Sequence, residues 1–189
     1  MKVIELLKSK EWSGKVIDCV LRFALSFALA LAQVFGGYAP LALGMIGASG
    51  AGLRGVSALI GASAGAVLFL PFSHALRTFA AGVLIFTANN AFFDLKLYKK
   101  RAFLPLLCAG MMFSVEFVYV LRDGVGEAAN CLMALLLCAL GAMSGRALLS
   151  TGGKEKEDHP YAPLFILLGV LCGLMAWYFT SMNSRVGGF

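Results

Sequence analysis

The sequence predicts an all-α fold, a polytopic transmembrane helical bundle of about seven spans with a cytoplasmic N-terminus, and three observations carry that expectation. Apolar residues make up 60% of the 189-residue chain and only 14% are charged, against roughly 25% charged in ordinary soluble domains. Mean hydropathy is +0.84. A soluble domain of this size has too little interior to hide that much apolar surface, so the bilayer is the expected solvent. Apolar runs recur along the chain, with most charges in short segments between them. Finally, residues 41–70 read LALGMIGASGAGLRGVSALIGASAGAVLFL, with glycine, alanine or serine at nearly every third or fourth position. Such ladders let membrane helices approach without bulky side chains between their backbones.

Residues 1–15 mix Val3, Ile4, Leu6, Leu7 and Trp12 with Lys2, Lys8, Lys10 and Lys15. That pattern suits an amphipathic cytoplasmic leader lying on the membrane face. The transmembrane domain follows over residues 16–181, and residues 182–189 form a short tail. The first span covers residues 16–36, with Asp18 and Arg22 paired at i,i+4 and an A-x-x-x-A-x-x-x-A face of Ala24, Ala28 and Ala32. Its flanking charges imitate a secretory signal, but the long leader and the many later spans argue against cleavage. The second and third spans cover residues 38–53 and 55–72, short for a core of roughly 30 Å, with Arg54 at the turn. Gly44, Ala48 and Gly52 share one face, and Gly61 and Gly65 form a G-x-x-x-G. These small faces are expected to pack against each other or against a second copy. Residues 71–77, with His74 and Arg77, are expected to be a loop. Spans four to seven are expected at residues 78–93, 102–120, 128–150 and 161–180.

The basic residues set the orientation. With the N-terminus inside, cytoplasmic segments hold Lys2, Lys8, Lys10, Lys15, Arg22, Arg54, Lys96, Lys99, Lys100, Arg101, Arg146, Lys154 and Lys156, and outer segments only Arg77, Arg122 and Arg185. That asymmetry follows the positive-inside rule and places the protein in the cell membrane as a multi-pass chain. It also accounts for the net charge of +6 as an affinity for anionic lipid. No segment between spans is long enough for a basic platform, so nucleic acid is not an expected partner. Seven spans would leave the C-terminus outside.

Chemistry is sparse. Cys19, Cys108, Cys131, Cys138 and Cys172 all lie in apolar stretches without a C-x-x-C or ligand-spaced histidine, so they read as small packing residues, with no metal and no cofactor expected. Catalytic motifs and phosphate loops are absent, and the chain is not expected to be an enzyme. Glu116 is the one carboxylate well within a span. An intramembrane ionisable group is a functional-site hypothesis by default; the alternatives are that it snorkels outward or is held by serine or asparagine. No second buried charge is expected beside it. Asn89 and Asn90, near the inner end of the fourth span, and Gln33, near the outer end of the first, are expected to cap helices or bridge them.

The order of these features resembles the N-terminal membrane region of the stage II sporulation protein E family. The likeness rests on the basic leader, ALALAQVFG at residues 28–36, the Tyr38-Ala39-Pro40-Leu41-Ala42-Leu43 start of the second span, and GASAGAVL at residues 61–68. It implies a membrane domain that anchors a cytoplasmic PP2C-type phosphatase at the sporulation septum, with lipid, septal proteins or further copies as partners. The phosphatase is missing here, so the resemblance implies a truncated or split member, or a solitary paralogue of the membrane region, non-catalytic by itself. A rival of different kind is the substrate-binding subunit of an energy-coupling-factor vitamin transporter, which docks its coupling subunit through an A-x-x-x-A face on the first helix.

Overall fold

The computed structural model describes residues 10–34, 37–94, 102–123 and 125–151. They form six helices: α1 (Lys10–Ala30), α2 (Pro40–Ser49), α3 (Leu53–Phe69), α4 (Phe72–Phe92), α5 (Phe103–Asp123) and α6 (Val125–Thr151). Pairing of the β type among them is confined to an isolated antiparallel bridge between Val34 and Tyr38, which folds the chain back from α1 into α2. The chain is therefore all-α across its described length. The expected seventh span at residues 161–180, the tail and most of the amphipathic leader lie outside the described residues.

Helix α2 is the centre of the bundle. Nine of its ten residues are buried, and it touches each of the other five helices. A helix apolar on every side has no solvent face to offer and belongs in an interior. Pro40 opens it, where a missing N–H costs nothing. The extended Gly50 and Gly52 (φ +76° and +70°) separate it from α3. Both take conformations that other residues adopt only under strain.

Expected and observed elements differ in three places. The predicted second span shrinks to ten residues, about 15 Å of helix at about 1.5 Å per residue, too short to cross a hydrocarbon core. The predicted loop at residues 71–77 is instead the start of α4. Pro71 ends α3 by its own geometry, and its extended backbone (ψ 144°) leads straight into the next helix at Phe72. His74 and Arg77 are thus helical, their polarity having masked a continuous helix. Among the described residues, two helical segments combine the length and apolar character needed to cross a membrane, Phe103–Leu121 and Ala128–Leu149. The seven spans expected are not found as such: α2 and α3 are apolar but short, while α1 and α4 carry more polar residues.

The small-residue ladder also packs otherwise than expected. Gly61 and Gly65 face α1, not α2. A Cβ on Gly61 would collide with the Phe23 carbonyl oxygen, and one on Gly65 would lie 2.6 Å from the Ala30 Cβ. Gly44 and Ala48 face α6: a Cβ on Gly44 would fall 2.5 Å from the Ala142 nitrogen, and one on Gly145 would fall 2.8 Å from the Ala48 Cβ. Gly52 packs against nothing within 4 Å and serves the turn. These contacts make α1 parallel to α3 and α2 parallel to α6. On α1, Ala24 and Ala28 point outward and Ala32 is half-buried; the helix packs through Arg22, Ser26 and Ala30 instead.

Candidate functional site

The polar side chains gather at the two ends of α2. At its C-terminal end the last carbonyls have no partners further along the helix, a deficit that every helix must meet. Neighbouring helices supply the donors. Asn89 Nδ2 of α4 donates to the Gly47 carbonyl at 3.0 Å, and Arg22 Nη1 of α1 donates to the Ser49 carbonyl at 3.1 Å. Asn90 holds the adjoining turn, its Oδ1 accepting from the Gly52 N–H at 3.1 Å and its Nδ2 donating to the Phe86 carbonyl at 2.8 Å. Asp18 completes this end: one oxygen accepts from Arg22 Nε, and the other forms an ion pair with Arg54 Nε, each at 2.9 Å. The sequence pairs Asp18 with Arg22 by spacing alone; Arg54 reaches the same carboxylate only because α1 and α3 run side by side.

At the opposite end Gln33 Nε2, just beyond α1, donates to the carbonyl of Phe69, the last residue of α3, at 2.7 Å. The Tyr38 and His74 rings meet edge to face with centroids 5.9 Å apart. One turn further along α4, Arg77 Nη1 lies 3.4 Å from Glu116 Oε2 of α5, and the Arg77 guanidinium carbon sits 3.5 Å from the Tyr119 ring centre. Both charged residues are buried, Arg77 at 9% and Glu116 at 4% exposure. This overturns the expectation that Glu116 has no buried charge beside it. The guanidinium is held between a carboxylate and an aromatic face, two partners that each favour a cation. Tyr119 lies three residues beyond Glu116 on the same face of α5, a spacing legible in the sequence. Arg77 was hidden by the misread loop.

Among the described residues, the buried Ser26 Oγ, Arg77 Nε, Asn89 Oδ1 and Arg146 Nη1 have no hydrogen-bond partner. The pair interaction at Arg77 is thus made through one edge of the fork. Cys108 and Cys138 are buried and free, packed beside the glycines of α2: Cys108 Sγ abuts Gly47, and the Cys138 carbonyl abuts Gly44. Among the described residues no three His, Cys, Asp or Glu side chains converge as a metal site would require. The arrangement offers fixed polar joints between helices.

The chain matches no protein-family model, no curated protein and no solved structure.

Proposed function

We propose that the chain is an integral membrane anchoring and assembly module, non-catalytic by itself. One observation carries this reading: the polarity of the molecule is inverted. Large apolar side chains stand on the outside of every described helix except α2, among them Leu53, Phe72, Leu106 and Leu121, each at least 70% exposed. The buried set meanwhile includes Arg22, Arg77, Asn89 and Glu116. Water would penalise both halves of that distribution, whereas hydrocarbon requires both. Arg22, Arg54 and Arg146 fall toward the end of the bundle where α2 stops, which is the cytoplasmic end under the positive-inside rule. In this reading the six described helices alternate in direction across the membrane, α2 being sheltered from lipid by the other five. Membrane pellets washed with alkaline carbonate test it: the chain stays in the pellet if it is integral, and its release into the supernatant refutes the proposal.

The resemblance to the membrane region of the stage II sporulation protein E family gives this module a setting, the sporulation septum. A fluorescent fusion in sporulating cells tests that setting; uniform labelling of the cell periphery counts against it. A second reading has its own support. The outward Ala24 and Ala28 on α1 fit the docking face of a vitamin-transporter substrate-binding subunit. Saturable binding of a radiolabelled vitamin to the purified chain favours the transporter, and its absence across the common vitamins rejects it.

A further inference from the structure

The corner where α1 meets the turn between α2 and α3 carries more positive than negative charge among the ion pairs of the described residues. Asp18 is the carboxylate in these pairs, and it serves two guanidiniums. Arg22 is fully engaged there, buried, with Nε on Asp18 and Nη1 on the Ser49 carbonyl. Arg54 is not. Its side chain is 60% exposed, and its ion pair with Asp18 is made at Nε. Lys15 stands exposed on α1, three residues before Asp18 and on the same helix face.

The surroundings of this charge are apolar. Leu53, immediately before Arg54, is 79% exposed, the highest value among the large exposed hydrophobic residues, and Val16, Ile17 and Leu21 are exposed on α1. The turn that presents the pair is also fixed. Gly52 N–H is bonded to Asn90, and Ser57 Oγ donates to the Arg54 carbonyl at 2.8 Å. The backbone that carries Leu53 and Arg54 is therefore held in place, and it sets a largely exposed guanidinium beside a projecting leucine.

The geometry points to a binding site for an anionic phospholipid: Arg54 and Lys15 hold the headgroup phosphate, and Leu53 lies along the acyl chains. A guanidinium fork matches a phosphate oxygen pair, and the charge complements the anionic cytoplasmic leaflet. Free phosphate would satisfy Arg54 but leave Leu53 without a partner. This inference rests on the membrane reading above.

The test uses the full chain purified in a neutral detergent, with thermal unfolding followed in added phosphatidylglycerol, phosphatidylcholine or inorganic phosphate, and retained lipid counted by native mass spectrometry. Phosphatidylglycerol should raise the melting temperature, and the other two should not. Arg54→Gln should weaken phosphatidylglycerol retention about tenfold, the scale of one lost charged contact of about 1.4 kcal/mol, while Arg54→Lys keeps part of it. Equal retention by Arg54→Gln and the parent chain overturns the site, as does an equal shift with inorganic phosphate. Should Arg54→Gln not fold, the Lys15→Gln/Leu53→Ser double variant carries the test: loss of at least half the lipid-dependent shift supports the site, and an unchanged shift refutes it. Failure of the membrane reading is seen separately, as release by carbonate. A chain that resists carbonate yet shows no preference for phosphatidylglycerol rejects the lipid site alone.

Discussion

Arg77 and Glu116 meet 3.4 Å apart with both side chains nearly excluded from solvent. Their pairing is worth little as net stability, because desolvation of two charges offsets most of the attraction. Removing one partner is another matter, since the survivor is left charged and buried. Glu116→Ala should therefore destabilise the bundle by about 3–5 kcal/mol, whereas the double replacement Arg77→Met/Glu116→Leu should restore most of that loss. Reversible unfolding in mixed micelles of increasing denaturing detergent measures both. A double variant that loses as much as the two single replacements added together would show that the pair has no coupling. Gly52 is a second case decided at one residue. Its φ of +70° and ψ of −150° belong to a region that only glycine enters freely, so Gly52→Ala should cost about 1–3 kcal/mol, although no neighbour lies within 4 Å of the added methyl. Gly110, helical and equally open, is the matched control, and Gly110→Ala should be neutral or slightly stabilising in the same measurement.

Helices meet here through two separate small-residue interfaces. On the α1–α3 seam the G-x-x-x-G of Gly61 and Gly65 receives the Phe23 and Phe27 backbone and the Ala30 methyl, and the Phe27 and Phe69 rings close it edge to face at 5.8 Å. On the α2–α6 seam Gly44 and Ala48 meet Cys138, Gly141, Ala142 and Gly145. The second set includes a G-x-x-x-G of its own at Gly141 and Gly145, written in the sequence yet easily passed over beside the denser ladder at residues 41–70. Because the atoms facing Gly61 and Gly44 are backbone, they cannot swing aside as a side-chain end would. Gly61→Ile and Gly44→Ile should each lower thermal stability sharply, and by more than the 1–3 kcal/mol typical of an over-packed core. Unchanged melting of either variant would show that the seam is looser than these contacts require. Gly65→Ala should also destabilise, because the Ala30 Cβ that it meets at 2.6 Å is fixed to the backbone, but by less than Gly61→Ile because a methyl adds less volume.

Among the described residues the buried and paired charges sort by end. Arg22, Arg54 and Arg146 lie toward the end marked by the last turn of α2, and Arg77 and Glu116 toward the other. Reporter fusions read this directly. A cytoplasm-specific reporter joined within residues 94–101, between α4 and α5, should be active, and one joined at residue 124, between α5 and α6, should be silent. The reverse pattern would invert the proposed orientation, and activity at both sites would show that α5 does not cross. The same sorting explains why α2 can be so short. The five helices around it shelter its ends, and Arg22 and Asn89 supply the hydrogen bonds that water cannot reach.

By itself the sequence determined the helical class, because its apolar runs are too long for strands and their small residues recur at helical spacing. It also determined the sign of the charge asymmetry and the presence of close-packed seams, since small residues at that spacing let helix backbones approach. Tertiary structure alone decided which helix each glycine faces, since a ladder fixes a face and not the partner beyond it. Likewise, Arg77 and Glu116 lie 39 residues apart, and no local pattern signals that two such charges will cancel. Helix α2 shows the same limit. Hydropathy marks residues 38–53 as apolar but cannot tell a helix that faces lipid from one enclosed by five others, because hydrocarbon and protein interior reward the same side chains.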